Sequence, residues 1–137
     1  MPRRSPDLAR SIRTAIANDG QVMVSIDQLF SDAYRARRVE PYPYQRALAE
    51  SDAYDILIAP TGLGKTAAVT LGWIWKRLKN PSRTPRRLVW CLPMRTLVEQ
   101  TAANARAWIS GLTHHFDAAS QTRPEVHVLM GGAEGTE

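Results

Sequence analysis

Apolar positions along the chain follow two alternating patterns, and their order predicts an α/β fold. Three short apolar runs, at about 55–59, 87–92 and 126–130, have the length and composition of strands. Between them, apolar residues recur at helical spacing over about 65–78 and from Pro93 to about Gly111. Because strands and helices alternate, we predict a parallel sheet with right-handed crossovers.

The segment that precedes this alternation predicts a small helical annex. A first helix is expected at about 5–20, where a Ser-Pro-Asp start and an Asn-Asp-Gly end flank apolar residues at helical spacing. Ser25 and Gln28 have the spacing of a capping box at the start of a second helix. Prolines then break the helical pattern, so we divide the chain into an annex, 1–40, and an α/β part, 41–137.

The first predicted strand leads into a Gly-rich turn and then into a helix that opens with Lys65 and Thr66. Gly62 and Gly64 permit backbone conformations that a Cβ forbids, so several N–H groups can turn toward one point. The pattern indicates a phosphate-binding loop, in which Lys65 reaches the β- and γ-phosphates and Thr66 ligates Mg²⁺. The alternative is an ordinary strand–turn–helix. The residues expected to bind the nucleotide are Ala59, Pro60, Thr61, Gly62, Leu63, Gly64, Lys65 and Thr66.

Gln45 lies on the segment that leads into the first strand. Its amide can donate and accept at once, which matches the amine and N7 of adenine. Tyr42 and Tyr44 offer flat faces for the base or for core packing. The alternative for Gln45 is an exposed helix residue without a ligand.

A second ligand-binding edge is predicted where the second and third strands end. Pro93 and Arg95 open a helix at the carboxyl end of strand two, the edge where open α/β sheets bind ligands. Gly131 and Gly132 follow strand three and would permit close approach of a nucleic-acid backbone. The alternatives are a helix start with an incidental arginine and a flexible turn.

Charge and composition add little that is specific. Lys and Arg total 18 against 13 acidic residues, a net charge of +5 that is compatible with a polyanionic partner. The single cysteine, Cys91, lies in an apolar run and is expected to be buried. No apolar run has the length of a membrane span and no secretory signal is present, so we expect a cytoplasmic protein without membrane contact.

His114 and His115 are adjacent, and Asp117 lies nearby. Neighbouring side chains on a loop are expected to point apart, and the sequence shows no further ligand cluster. The spacing therefore argues against a metal site here, within a segment, 113–124, that we predict to be a polar loop.

Taken together, these segments resemble superfamily-two helicases of the DEAD/DEAH kind. Tyr44-Gln45 is similar to the Q motif, and Ala59–Thr66 to motif I in the family's form A-x-T-G-x-G-K-T. Pro93–Leu97 is similar to motif Ia, and Gly131-Gly132 to the glycine pair after strand three. The resemblance implies an incomplete three-layer P-loop NTPase (RecA-like) sheet, ATP and Mg²⁺ as cofactors, Lys65 as the catalytic lysine and nucleic acid as partner.

A narrower resemblance, of Leu57–Thr66 and Trp90–Gln100, is to the CRISPR-associated helicase-nuclease. It favours single-stranded DNA over RNA, with a CRISPR surveillance complex as a further partner of an intact protein.

The family's D-E-x-[DH] and S-A-T motifs are absent from the 137 residues. The chain is therefore expected to be the N-terminal part of a longer enzyme, without ATP hydrolysis of its own. A stand-alone nucleotide- or nucleic-acid-binding regulator is the alternative, and a small-molecule kinase would need neither Gln45 nor the Arg95 segment.

Overall fold

The computed structural model describes residues 24–36, 38–52 and 56–131, and helices form its core. The helices are α1 (Ile26–Ala33), α2 (Pro43–Glu50), α3 (Lys65–Lys79), α4 (Arg95–Gly111) and α5 (Thr113–Ala118). The bounds of α3 and α4 agree with the predicted helices to within two residues. The helix predicted at about 5–20 lies outside the described residues.

Helix α1 begins at the predicted cap. The Ser25 hydroxyl accepts a hydrogen bond from the Gln28 backbone N–H at 3.2 Å, which satisfies one of the free donors at the helix start. The Gln28 side chain does not return to Ser25; it donates to Asp32 Oδ1 at 2.8 Å. One half of the predicted capping box is therefore formed, and the other half is replaced by a bond along the helix.

One hydrophobic cluster joins α1 to helices α2, α3, α4 and α5. Its members are apolar and nearly all inaccessible to solvent: Ile26, Leu29, Phe30, Ala33, Ala49, Ala67, Leu71, Ile74, Trp75, Trp108, Leu112 and Phe116. Burying a side chain as large as Phe30 or Phe116 contributes about 1.5–3 kcal/mol each. The second annex helix thus shares its core with α3, α4 and α5, and Trp75 and Trp108 pack within that core.

Helix α5 occupies part of the segment that we predicted to be a polar loop, so that prediction was wrong. Its six residues are mostly polar, but Phe116 is buried, as is Leu112 just before the helix. Their spacing of four places both on one helical face. Leu112 and Phe116 pack in the core cluster that contains residues of α1.

The three segments predicted to be strands are extended, but no strand is assigned within the described ranges. Each shows the period-two burial of a strand: Leu57 and Ala59 face inward, whereas Ile56 and Ile58 are 80% and 90% exposed. Burial on both faces is expected for strands of the predicted parallel sheet. Cys91 is exposed as well, contrary to prediction, because its neighbours Trp90 and Leu92 take the inward positions.

The last extended segment runs antiparallel to α4. Arg95 Nη2 donates to the Gly131 carbonyl at 3.4 Å, and Arg106 Nη2 donates to the Val126 carbonyl at 3.2 Å. Eleven helical steps and five extended steps both span roughly 16 Å, so the two elements stay in register. A helix that runs back along the following strand is the geometry of a strand–helix–strand crossover.

Among the described residues, no helix has both the length and the apolar character needed to cross a membrane.

Candidate nucleotide and nucleic-acid site

The loop before α3 depends on two glycines in left-handed conformations. Gly62 has φ +83° and Gly64 has φ +72°, and Gly64 is the N-cap of α3. A residue with a Cβ would be strained at either position. The two glycines turn the chain sharply from the extended segment into the helix, as the sequence predicted.

Helix α3 begins with free backbone donors. Its first backbone bond runs from the Ala68 N–H to the Gly64 carbonyl, at 2.9 Å. The N–H groups of Lys65, Thr66 and Ala67 come before this first helical donor, so they have no acceptor within the helix and are available to a ligand. Together with the positive end of the helix dipole, they form a site suited to an anion.

Lys65 carries a positive charge at this positive helix end, where a cation is locally unfavourable. The first turn of α3 contains no acidic residue to offset it. The ammonium instead folds back over the loop and donates to the Ala59 carbonyl at 2.7 Å and the Pro60 carbonyl at 2.8 Å. A phosphate would replace these neutral acceptors with charged ones, and charge-assisted bonds are roughly twice as strong.

Helix α2 holds the loop from the other side. The Tyr44 hydroxyl donates to the Leu63 carbonyl, and Gln45 Nε2 donates to the Gly64 carbonyl at 2.9 Å. Gln45 Oε1 accepts from the Tyr42 backbone N–H at 2.8 Å. Burial raises the pKa of Tyr44, which keeps its hydroxyl a donor. Two consecutive loop carbonyls are thus fixed by two consecutive side chains of α2.

Gln45 is not the exposed helix residue of the alternative interpretation, because only 4% of its surface is accessible. An amide has two donor hydrogens and two acceptor lone pairs, so the two bonds leave one position of each kind unused. Adenine recognition by Gln45 therefore stays a prediction. The loop-holding bonds were missed from the sequence, although Pro43 at the start of α2 indicated that Tyr44 and Gln45 begin a helix.

Tyr42 offers a flat apolar face next to these residues. Its ring stacks on that of Tyr44, with centroids 6.2 Å apart and an interplanar angle of 11°, and half of its surface is exposed. An exposed aromatic face beside a phosphate-binding loop is suited to a nucleobase.

The structure brings together some of the residues of the second predicted ligand-binding edge. Arg95, the first residue of α4, reaches the Gly131 carbonyl, while Pro93 lies exposed just before the helix. The N-cap Met94 has no side-chain capping bond, so the first N–H groups of α4 stay available for phosphate. Gly132 lies outside the described residues. We name the loop 59–66, with Arg95 and Gly131, the phosphate edge.

Comparison with known proteins gives one result. Residues 42–134 match the model of the DEAD/DEAH box helicase family, whereas the searches of curated proteins and of solved structures gave no match. The matched region is about two thirds of the chain and contains the predicted site residues from Gln45 to Gly132. Domains of this family generally bind ATP with Mg²⁺ and act on nucleic acid. The chain belongs to the DEAD/DEAH box helicase family.

Proposed function

We propose that the chain is the ATP-binding N-terminal portion of an ATP-dependent nucleic-acid helicase or translocase. It binds MgATP through the loop 59–66, with Lys65 on the phosphates and Thr66 on the metal ion. It binds single-stranded nucleic acid through Pro93, Arg95, Gly131 and Gly132. The family match over 42–134 supports the general role.

The observation that carries this proposal is the set of groups that converge at the start of α3. Three backbone N–H groups have no helical acceptor, two glycines turn the loop toward them, and the Lys65 ammonium occupies the positive end of the helix. The N–H groups without an acceptor and the cation at the positive helix end both cost stability in the absence of an anion. A triphosphate offsets both at once.

The residues of this chain position the phosphates and supply positive charge to them. The backbone N–H groups orient the phosphate oxygens, Lys65 neutralises charge, and the bonds from Tyr44 and Gln45 keep the loop in place. Thr66 would hold Mg²⁺, which when bound would supply further positive charge to the phosphates. Positioning and electrostatic stabilisation are what phosphoryl transfer requires of a protein, and these residues supply part of both.

The fold proposed for this role is a RecA-like parallel sheet built on the three extended segments. Two observations support it: the period-two burial of each segment, and the in-register, antiparallel course of segment 126–131 along α4. A parallel sheet needs both faces covered. The apolar residues exposed on the outer face, Ile56, Ile58, Val89 and Leu129, are suited to a second layer.

ATP binding is tested by titrating a fluorescent ATP analogue against the chain in the presence of Mg²⁺. Lys65→Ala is expected to abolish measurable binding, because the principal charge on the phosphates is lost. Lys79→Ala is the matched control: it removes the same side chain from the other end of α3, where Lys79 stacks over Trp75 at 4.7 Å. Equal affinities of the wild type and a folded Lys65→Ala variant would refute the loop assignment.

Nucleic-acid binding is tested by the salt dependence of single-strand affinity. Arg95→Ala is expected to lower the slope of log K against log salt by about 0.7, the value for one phosphate contact on a single strand. Arg106→Ala is the control, since it lies on the same helix and also bonds a carbonyl of the last extended segment. An unchanged slope for Arg95→Ala would place the nucleic acid elsewhere.

The narrower proposal is that the parent enzyme is a CRISPR-associated helicase-nuclease that acts on DNA. The resemblance of Leu57–Thr66 and Trp90–Gln100 to that enzyme is its only support. Competition between single-stranded DNA and RNA of one sequence tests it, and tighter binding of RNA would argue against it.

A further inference from the structure

Three side chains with metal-binding atoms converge near the C-terminal end of α4. Asp32 of α1 faces both His114 and His115 of α5. Its Oδ2 is 2.7 Å from His115 Nε2 and 3.3 Å from His114 Nε2. The three potential ligand atoms lie within 4.8 Å of one another.

This arrangement corrects the sequence interpretation in two ways. The two histidines belong to a helix and not to a loop, and their rings lie together, with centroids 3.9 Å apart. Their Nε2 atoms therefore point to one place, whereas adjacent loop residues were expected to diverge. The third group comes from Asp32, more than eighty residues earlier in the chain, and not from the nearby Asp117.

The carboxylate is held in position by its surroundings. Gln28 donates to Asp32 Oδ1 at 2.8 Å, which leaves Oδ2 to face the histidines. The backbone of α1 lies so close to Gly111 that a Cβ there would be 2.5 Å from the Asp32 carbonyl oxygen. Arg35 Nη2 also donates to Ser110 Oγ, at 2.6 Å. We call this contact of α1 with residues 110–116 the α1 joint.

We propose that Asp32, His114 and His115 form a zinc site that fastens α1 to the end of α4 and to α5. Ligand atoms about 2.0–2.1 Å from a tetrahedral zinc ion stand about 3.3 Å apart, so small side-chain rotations convert the present contacts into a coordination shell. Two imidazoles and a carboxylate suit Zn²⁺ better than Mg²⁺ or Ca²⁺, which prefer oxygen ligands.

The site has one open coordination position. His114 is 62% exposed, whereas His115 and Asp32 are largely covered, so water can complete the shell from the His114 side. The carboxylate neutralises part of the ion's charge, and Gln28 orients it from the second shell. Asp32 precedes the family-matched region and both histidines lie within it. The ion would therefore tie the preceding helix to the helicase domain.

The test is a calorimetric titration of ZnCl₂ into the untagged, metal-free chain, in a Cys91→Ser background because that thiol is exposed. We expect one zinc ion per chain and a higher melting temperature in its presence. His115→Ala and His114→Gln are expected to weaken zinc binding by at least about tenfold, and Gln28→Ala by about tenfold. Replacement of zinc by Co²⁺ should give the visible absorption of a tetrahedral site.

The matched control is His127→Ala. His127 also faces a carboxylate, Glu125, at 3.4 Å, but both side chains are exposed and no second histidine joins them. Zinc affinity should be unchanged in this variant. His114→Gln is the variant least expected to disturb the fold, because its side chain is the most exposed of the three. Unchanged zinc affinity in a folded His114→Gln chain, or no saturable binding by the wild type, would overturn the proposal.

Discussion

The α1 joint and the phosphate edge differ in how far their polar groups are satisfied within the chain. At the joint, Asp32 bonds His115 and Gln28, and Arg35 bonds Ser110. At the edge, the first N–H groups of α3 and α4 have no helical acceptor, and Lys65 has only neutral carbonyls. The joint is therefore arranged for stability, while the edge keeps groups available for a ligand.

The two helix starts show the same difference. Helix α1 has Ser25 as its cap and Asp27 in its first turn, which complements the helix dipole. Helix α3 has a left-handed glycine as its cap, no side-chain capping bond and Lys65 in its first turn. A helix that breaks the local rules where a family motif lies is the pattern expected of a functional site.

Gly111→Ala would break the α1 joint and is expected to have the largest effect on the free energy of unfolding. The new Cβ would lie 2.5 Å from the Asp32 carbonyl oxygen and 3.0 Å from that of Ala33, both backbone atoms that cannot rotate away. We expect the free energy of unfolding to fall by about 2–3 kcal/mol, as for overpacked cores. Urea denaturation measures it.

Gly72→Ala is the matched control for that substitution. Its Cβ would lie 3.5 Å from the Ala49 Cα, an ordinary contact, and alanine favours the helix interior by about 1 kcal/mol. This variant should be as stable as the wild type or more so. Equal destabilisation by both substitutions would show that the close approach at Gly111 has no special cost.

Gly64→Ala would break the phosphate edge by two separate effects. The residue keeps φ +72°, at a cost of about 1–2 kcal/mol for a residue with a Cβ, and that Cβ would lie 2.8 Å from Gln45 Nε2. Gly62→Ala is the control, since it has φ +83° but no neighbour within 4 Å. Thermal unfolding and MgATP titration should show the larger loss at Gly64, and equal losses would argue against the Gln45 contact.

The Gln45→Ala variant distinguishes two roles of Gln45 at the phosphate edge, holding the loop and recognising the base. We expect ATP affinity to fall more than GTP affinity by about 1–2 kcal/mol, the lower part of the range for a bidentate base contact. Tyr44→Phe is the control: it removes the bond to the Leu63 carbonyl and should weaken the binding of both nucleotides equally. An equal loss of ATP and GTP affinity in Gln45→Ala would show that Gln45 holds the loop and does not recognise the base.

Asp32→Asn tests the charge at the α1 joint and is expected to have the smallest effect. Burial raises the pKa of Asp32, but bonds from His115 and Gln28 and the histidine charges outweigh it, so the pKa lies below its usual 3.8. A carboxyl whose pKa is lower in the folded state than in the unfolded state stabilises the protein at pH values above the unfolded-state pKa. This stabilisation is lost as the pH falls through the folded-state pKa.

In metal-free buffer, Asp32→Asn should therefore be less stable than the wild type by about 1 kcal/mol at pH 6. The difference should shrink as the pH falls below 3.8. Urea denaturation across this range measures both quantities. A difference that stays constant down to the lowest pH would show that the carboxylate charge contributes nothing.

The sequence predicted the local features of this molecule better than its long-range contacts. The bounds of α3, the glycine turn and the cap at Ser25 follow from spacing and residue type within a few neighbours. The meeting of Asp32 with His114 and His115 depends on how α1 packs against the end of α4, which no local pattern contains. The burial of Gln45 similarly depends on the distance between α2 and the loop.

The errors have the same origin. Cys91 was expected to be buried because its neighbours are apolar, but an extended segment turns alternate residues outward. Segment 113–124 was predicted to be a polar loop because only Phe116 indicates a helical face, and its burial depends on α1. Composition predicted which secondary structure each segment prefers, while tertiary packing decided which of its residues are buried.

Amide NMR of the isotope-labelled chain during a titration with MgATP tests most directly whether the phosphate edge is the nucleotide site. Resonances of Gly62, Gly64, Lys65, Thr66 and Ala67 should shift, those of α1 and α5 should not, and Lys65→Ala should remove the shifts. Shifts confined to α1 and α5, or none at millimolar MgATP, would contradict the proposal that this chain is the ATP-binding part of a helicase.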